Sequence, residues 1–146
     1  MHTSSAPVKK KDVFILTVVQ NRPVARNIWQ MRLSGELARL AIQPGQFVPL
    51  RCGNSLYPLL RRPISICDVD PAKEEVTLLY RVQGEGTRYF ASLRSGDQVD
   101  VLGPLGSGFP VNNGQKGEEA LLIGGGIGIP PLYYLSKCLR EKGVKV

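Results

Sequence analysis

The chain has 146 residues, of which 42% are hydrophobic and 21% charged, values that argue against wholesale disorder. The formal net charge of +7 favours an anionic ligand, an acidic partner or nucleic acid, with simple solubility as the alternative. Three cysteines without C-x-x-C spacing and one histidine, His2, argue against a disulfide scaffold, a zinc site or an iron–sulfur cluster held by this chain alone.

The N-terminal segment and the apolar runs bear on where the protein resides. Residues 1–11 lack the apolar core of a signal peptide and are expected to form a flexible N-terminus. No apolar run approaches the roughly 18 residues that a membrane-spanning helix needs. We therefore expect a cytoplasmic protein without an integral membrane segment.

From Asp12 to Leu102 the sequence repeats short alternating runs, rich in β-branched residues and separated by Gly, Pro, Asn and Asp. This pattern predicts six strands and a small antiparallel barrel or sandwich. The predicted strands are Val13–Gln20, Asn27–Leu33, Gln46–Cys52, Pro63–Val69, Val76–Gln83 and Gln98–Leu102. A short helix interrupts them, with Thr87 as the expected N-cap and with Phe90 and Leu93 facing inward.

A different pattern follows residue 117. Ala120–Ile123 is a continuous apolar run, as expected of a strand buried on both faces. A glycine-rich turn then leads into a predicted helix, Ile129–Lys142, with two prolines near its first turn. Val144–Val146 reads as the start of another strand. One such unit cannot bury a core of its own, so we expect the chain to be a fragment of a longer two-domain protein.

Three groups of residues are candidates for binding a long anionic ligand. Arg62 and Ser65 lie three positions apart on an extended segment, where a guanidinium suits phosphate and a hydroxyl suits a ring heteroatom. Gly86 and Thr87 open a helix whose amides attract phosphate. Tyr80 offers a ring face or a hydroxyl. For each group, ordinary capping, packing or a solvated charge remains the competing interpretation.

The glycine-rich turn is a further candidate. Glycines between a strand and a helix allow close backbone approach to a phosphate. The spacing from Gly124 to Gly128 is not G-x-G-x-x-G, so the standard dinucleotide fingerprint is absent. A tight turn without any ligand is the alternative.

Several segments together carry a resemblance to a known family. They are Arg62-Pro63-Ile64-Ser65, Leu79-Tyr80-Arg81, Gly86-Thr87, Gly103-Pro104-Leu105-Gly106 and the run from Gly124 to Leu132. In this order and spacing they resemble the ferredoxin-reductase-like flavoproteins, and more closely the electron-transfer subunits of dihydroorotate dehydrogenase B. The resemblance implies a mainly β fold: a six-stranded antiparallel FAD-binding barrel at residues 12–113. The start of an incomplete α/β NAD-binding domain would follow at residues 118–146.

The resemblance also implies roles for individual residues. Arg62, Pro63, Ile64 and Ser65 would bind FAD, with Arg62 on the pyrophosphate and Ser65 near the reactive edge of the flavin. Leu79, Tyr80 and Arg81 would lie along the ribityl–ribose part, and Gly86 and Thr87 would hold phosphate. The nicotinamide nucleotide would face Gly124, Gly125, Gly126 and Gly128, in a site that this chain leaves incomplete.

The electron path that the resemblance implies extends beyond this chain. Dihydroorotate would be oxidised at an FMN-containing catalytic subunit, the partner in a heterotetramer. Electrons would then cross a [2Fe–2S] cluster, held by four cysteines of the full-length protein only, and pass through FAD to NAD⁺ in pyrimidine biosynthesis. Because the cofactors supply this chemistry, no side chain here is assigned a catalytic or metal-binding role.

Two other functions compete with this one. The chain is alternatively the FAD-binding small subunit of another NAD(P)H- or ferredoxin-linked reductase or of a sulfide dehydrogenase. The charge of +7 also allows a basic β-barrel that binds nucleic acid. Against the latter, aromatic residues make up only 7% of the chain and no strand interleaves basic with aromatic residues, so we expect no nucleic-acid partner.

Overall fold

Six antiparallel strands form a closed barrel. The computed structural model describes residues 12–53, 60–111 and 114–146, so the predicted flexible N-terminus lies outside the described residues. The strands are β1 Asp12–Ala25, β2 Ile28–Ser34, β3 Phe47–Leu50, β4 Arg62–Asp70, β5 Glu75–Arg81 and β6 Gln98–Gly103. Around the barrel they follow the order β1–β2–β5–β4–β3–β6, with every neighbouring pair antiparallel. The barrel prediction is confirmed.

Alternating side chains fill the barrel. On β5, for example, Val76, Leu78 and Tyr80 are buried, whereas the intervening residues are half-buried, as a period of two requires. The core continues through alternate residues of the other strands and is closed by Phe90 of the short helix. Hydrophobic burial of this continuous set stabilises the barrel and fixes the register of its strands.

The predicted end of β1 at Gln20 is wrong by five residues, whereas the other predicted strand ends lie within two residues of those observed. The turn-type residues Asn21, Arg22 and Pro23 do not end β1, which continues to Ala25. This segment pairs with β2 as far as Ala25–Ile28, with two register shifts along the way. The chain reverses instead at Asn27, whose φ of 58° is the left-handed conformation that asparagine tolerates.

The short helix starts earlier than predicted. Helix α1 spans Glu85–Ser92 with Gly84 as its N-cap, so the prediction of Thr87 as N-cap is wrong. Thr87 lies one turn in, where its Oγ1 accepts hydrogen bonds from the backbone N–H groups of Gln83 and Gly84 at 3.0 and 3.1 Å. It thereby caps the helix from inside the first turn. The expected inward direction of Phe90 and Leu93 is confirmed, since both are buried.

The C-terminal segment forms a small second core. Helix α2 spans Ile129–Glu141, within one residue of the prediction. Leu135 and Leu139 of α2 pack with Val144, and the pairing of this segment is a single parallel bridge between Glu119 and Lys145. No helix in the described part of the chain is long and apolar enough to cross a membrane.

The expectation of a strand buried on both faces at Ala120–Ile123 is wrong. Leu121 is 85% exposed and Ile123 is 84% exposed, and no regular strand forms there. The physical reason is the lack of a neighbour: among the described residues, only Lys145 pairs beside this segment. A parallel strand is buried only when strands flank it and helices cover both faces.

Candidate functional site

A groove opens on the barrel where β4 and β5 separate. These strands pair only between Ile66–Leu78 and Asp70–Glu75, and a register shift interrupts even this stretch. Beyond Ile66, β4 pairs with β3 on its other side, and the end of β5 pairs with β2. The strands therefore diverge, leaving a groove of about 420 Å³ that we call the β4–β5 groove. Its lining is Arg62, Pro63, Ile64, Ser65, Leu79, Tyr80, Arg81, Gln83, Gly84, Thr87 and Ile127.

Most of the predicted binding residues meet at this groove. All four residues of the Arg62–Ser65 segment, all three of the Leu79–Arg81 segment and Thr87 line it. Segments distant in sequence are thus brought together by the divergence of two strands and by the helix that follows β5. Gly86 lies behind the lining, buried against the Arg62 side chain.

The predicted glycines of the C-terminal segment, residues 118–146, lie beside the groove rather than in it. Gly124, Gly125, Gly126 and Gly128 do not line it, although Ile127 between them does. A Cβ built on Gly126, whose φ is 55°, would lie 3.4 Å from Arg81 Nη2, so the turn closely approaches this wall of the groove. Residues 126–128 form a short 3-10 turn that leads into α2.

Contacts between α2 and the barrel hold this turn in place. Lys137 Nζ lies 2.9 Å from Asp68 Oδ1 and donates a second hydrogen bond to the carbonyl oxygen of Val69 at 3.2 Å. The Asp68 carboxylate raises the pKa of Lys137, so this lysine is charged at neutral pH. Tyr134 donates from its hydroxyl to the carbonyl oxygen of Ile42 at 3.3 Å. Helix α2 is therefore docked on β4, beside the groove.

Tyr80 does not present its side chain to the groove. Because side chains alternate along β5, Leu79 and Arg81 point outward while Tyr80 points into the core, where it is only 2% exposed. Its ring packs edge-to-face on Phe90, with 6.0 Å between the ring centroids. The expected ring face or hydroxyl for a ligand is therefore wrong, because both are buried in the core although Tyr80 borders the groove.

The polar groups of the groove include the guanidinium groups of Arg62 and Arg81 and the hydroxyl of Ser65. Arg62 Nη1 donates to the carbonyl oxygen of Leu60 at 2.9 Å, which fixes the side chain but leaves further N–H donors. The side chains of Arg81 and Ser65 have no hydrogen-bond partner within the described part of the chain. Two cations attract an anionic ligand, and arginine suits phosphate in particular.

Thr87 contributes differently from the prediction. Its hydroxyl accepts from two backbone N–H groups and also donates to the carbonyl oxygen of Gly84 at 3.1 Å, so the helix start occupies it. A ligand phosphate at this end would meet the N–H groups of the first helical turn, which have no partner within a helix.

Three residues of the lining were not predicted. Gln83 and Gly84 connect β5 to α1, and the true start of that helix, once recognised, would have placed them at the groove. Ile127 is different, because its position depends on how α2 docks against β4. Among the described residues, no group of three or more His, Cys, Asp and Glu side chains is placed to hold a metal ion.

The groove fits a flavin dinucleotide in its chemistry. Its wall combines the apolar side chains of Ile64, Leu79 and Ile127 with the guanidinium groups of Arg62 and Arg81. An extended ligand with an aromatic ring system at one end and a pyrophosphate in the middle needs both kinds of surface. The Ser65 hydroxyl adds one unpaired donor and acceptor for a polar ring edge.

Comparisons with known proteins agree with the fold and this chemistry. Residues 16–109 match the family model described as an oxidoreductase FAD-binding domain. The dihydroorotate dehydrogenase B (NAD⁺) electron transfer subunit of Bacillus cereus strain AH187 is 52% identical over 131 residues, which cover 90% of this chain and 51% of that protein. The chain thus spans about half the length of the curated relatives it matches.

Solved structures give the same fold. An NADH-dependent reduced ferredoxin-NADP oxidoreductase aligns with a TM-score of 0.77 and 27% identity, over 88% of this chain and 45% of that one. A cytochrome P450 reductase from Amycolatopsis aligns with a TM-score of 0.69 and 26% identity, over 97% of this chain and 45% of that one. By the match over its barrel, the chain belongs to the oxidoreductase FAD-binding domain family.

Proposed function

We propose that this chain is the FAD-binding part of an electron-transfer subunit of dihydroorotate dehydrogenase B. Residues 12–113 would bind FAD and residues 118–146 would begin an NAD-binding domain. The observation that carries the proposal is the 52% identity to subunits of that name, together with a groove of fitting chemistry at the family's barrel. The protein is an oxidoreductase subunit by family.

In this proposal, different residues of the groove bind different parts of FAD. Arg62 would bind the pyrophosphate through the guanidinium donors that Leu60 leaves unused. Ser65 would hydrogen-bond near the reactive edge of the flavin, and Ile64 would pack against its ring. The outward side chains of Leu79 and Arg81 and the backbone of Tyr80 would follow the ribityl–ribose part.

The phosphate role proposed for Gly86 and Thr87 would fall to the backbone of the first turn of α1, since the Thr87 hydroxyl is already hydrogen-bonded. Gly124, Gly125, Gly126 and Gly128 would face the nicotinamide nucleotide, whose site this chain would form only in part. Ile127 would shield the flavin groove from water at this side. Bound FAD supplies the acceptance and release of electrons, while these residues bind and orient it.

The proposed electron path needs a partner and a second cofactor. Electrons from dihydroorotate would arrive from an FMN-containing catalytic subunit through a [2Fe–2S] cluster, pass to FAD and reduce NAD⁺. The names of the relatives support this assignment. We place the cluster in the longer protein, where four cysteines would hold it.

An absorbance spectrum of the purified chain is the direct test. We expect yellow protein with flavin absorbance, or colourless protein that acquires it on titration with FAD. Colourless protein that takes up no FAD, yet binds a polyanion column and is released by salt, would favour the nucleic-acid alternative instead.

A second experiment tests the choice of electron donor. Co-purification of the full-length subunit with an FMN-containing subunit that oxidises dihydroorotate would support the proposal. The alternative is a small subunit of another NAD(P)H- or ferredoxin-linked reductase, which the likeness to the ferredoxin-NADP oxidoreductase favours. Co-purification with a different oxidoreductase subunit would select that alternative.

A further inference from the structure

Two donors share one backbone acceptor beneath the groove. Arg62 Nη1 donates to the carbonyl oxygen of Leu60 at 2.9 Å, and the Cys52 thiol donates to the same oxygen, with 3.8 Å between Sγ and O. A carbonyl oxygen has two lone pairs and can accept both hydrogen bonds. The buried thiol and the groove arginine are therefore linked through Leu60.

Gly86, in the first turn of α1, lies against the side chains of both Arg62 and Cys52. A Cβ built on Gly86 would lie 2.9 Å from both Arg62 Nε and Cys52 Sγ, and 3.0 Å from Arg62 Cγ. Any side chain there would displace one or both of these groups. The arginine stem therefore rests on the first turn of α1, at a position that only glycine leaves open.

We propose that Cys52 and Gly86 are positioning residues that set the direction of the Arg62 guanidinium in the β4–β5 groove. An arginine held in place before its ligand arrives loses less rotamer freedom on binding, so the affinity for the ligand rises. Leu60 uses one of the five guanidinium N–H donors, and four remain for an anion. The link to FAD in this inference rests on the proposed function.

The state of the thiol agrees with this role. Cys52 is 2% exposed, and burial raises its pKa, although the charge of Arg62 acts in the opposite direction. The thiol is therefore protonated at neutral pH and can act as the donor to Leu60. A thiolate would compete for the guanidinium and would repel an incoming phosphate.

The test compares Cys52→Ala with Cys52→Ser, which keeps a donor at the same place. In the 146-residue chain without FAD, ¹⁵N relaxation of the Arg62 Nε–H group reports how firmly the side chain is held. We expect Cys52→Ala to increase its motion and to raise the Kd for FAD about fivefold, equal to about 1 kcal/mol. Cys52→Ser should restore most of the rigidity of Arg62 and most of the affinity for FAD.

A second substitution keeps the test independent of Cys52. Gly86→Ala should also increase the motion of the Arg62 Nε–H group and raise the Kd for FAD at least as much, because its Cβ occupies the space of the arginine stem. Ser92→Ala, an exposed position of the same helix, is the matched control and should change neither measurement. Thermal unfolding identifies any variant that has lost its fold.

The two readouts separate this inference from the assignment of FAD. An Arg62 Nε–H group that stays as rigid in Cys52→Ala and Gly86→Ala as in the parent overturns the positioning role, whatever happens to FAD. A loosened Arg62 with an unchanged Kd supports the positioning role and overturns the proposed contact between Arg62 and FAD. In an Arg62→Ala background, Cys52→Ala should add nothing to the Kd, and an additive effect would contradict the inference.

Discussion

The Tyr80 hydroxyl donates a hydrogen bond to Asn21 Oδ1 at 2.9 Å, inside the end of the barrel. The side-chain amide of Asn21 in turn donates to the carbonyl oxygens of Phe90 and Leu93 at 2.7 and 3.0 Å. One asparagine of β1 thus joins β5 to the end of α1. Since β5 and α1 both border the β4–β5 groove, this network fixes the distance between two of its walls.

We expect Asn21→Ala to destabilise the fold by about 1–3 kcal/mol, because it removes the acceptor of the buried Tyr80 hydroxyl and the side-chain donor to two helix-end carbonyl groups. The free energy of unfolding, measured with urea, checks this expectation. Gln20→Ala, one position earlier on β1, is the control. Equal stability of the two variants would show that water replaces the asparagine at no cost.

The free energy of unfolding at alkaline pH should depend on Tyr80. Burial raises its pKa from 10.0 to about 12. Below pH 10 the phenol is neutral in both the folded and the unfolded chain, so its stabilising contribution is fully present. Between pH 10 and 12 the unfolded chain ionises while the folded one resists, and stability is lost by up to about 1.4 kcal/mol per pH unit.

Tyr80→Phe removes this titration. The variant should be less stable than the parent at pH 8, because Asn21 loses its donor, but its stability should fall less steeply from pH 10 to 12. Tyr134, whose pKa burial likewise raises to about 12, contributes equally to both proteins. Tyr133→Phe, at an exposed position, serves as the control. Parallel curves for the parent and Tyr80→Phe would refute the assignment.

Strand periodicity explains how much of the site could be predicted. Alternation located β4 and β5, and the divergence of these two strands brings Arg62, Ser65 and Arg81 to one groove. The same alternation, followed through Val76 and Leu78, would have assigned Tyr80 to the core. The buried position of Tyr80 agrees with ordinary strand packing, the competing interpretation that the sequence left open.

The rest depends on contacts that a single sequence does not reveal. Ile127 reaches the groove because α2 docks on β4, where Lys137 pairs with Asp68 across a long separation in the chain. The link from Cys52 to Arg62 likewise requires Gly86 of α1 to lie against both side chains. Such relationships arise from tertiary packing, and no local pattern of residues specifies them.

Two adjacent glycines of the turn should differ in their tolerance of a methyl group. A Cβ on Gly124 would lie 2.7 Å from Leu132 Cδ1, whereas a Cβ on Gly125 would have no atom within 4 Å. Gly124→Ala should therefore destabilise the second core by about 1 kcal/mol, the low end for overpacking, because the end of the Leu132 side chain can rotate away.

Hydrogen exchange of the α2 amides measures this difference locally. We expect faster exchange in Gly124→Ala and unchanged exchange in Gly125→Ala, whose backbone angles suit alanine. Identical exchange in both variants would mean that Leu132 is not held against Gly124 in solution. Unfolding of the barrel by urea should be similar in Gly124→Ala and Gly125→Ala, since the barrel core is separate from the core around α2.

Arg62→Ala tests the groove itself. The substitution removes a guanidinium that faces the groove while leaving the barrel core intact, so its effect should fall on the ligand rather than on folding. We expect FAD to bind more weakly by about 1.5–3 kcal/mol, the range for a hydrogen bond to a charged group. Arg88→Ala, an exposed arginine of α1 outside the groove lining, is the matched control for the loss of one positive charge.

Equilibrium titration with FAD at two salt concentrations separates a direct contact from a general electrostatic effect. Loss of a surface charge alone weakens FAD binding at low salt but not at high salt, because salt screens the attraction, and Arg88→Ala should behave in this way. Loss of a direct hydrogen bond persists at high salt, as we expect for Arg62→Ala. If both variants retain FAD equally at both salt concentrations, the pyrophosphate does not lie at Arg62, and Arg81 becomes the remaining guanidinium of the groove that could bind it.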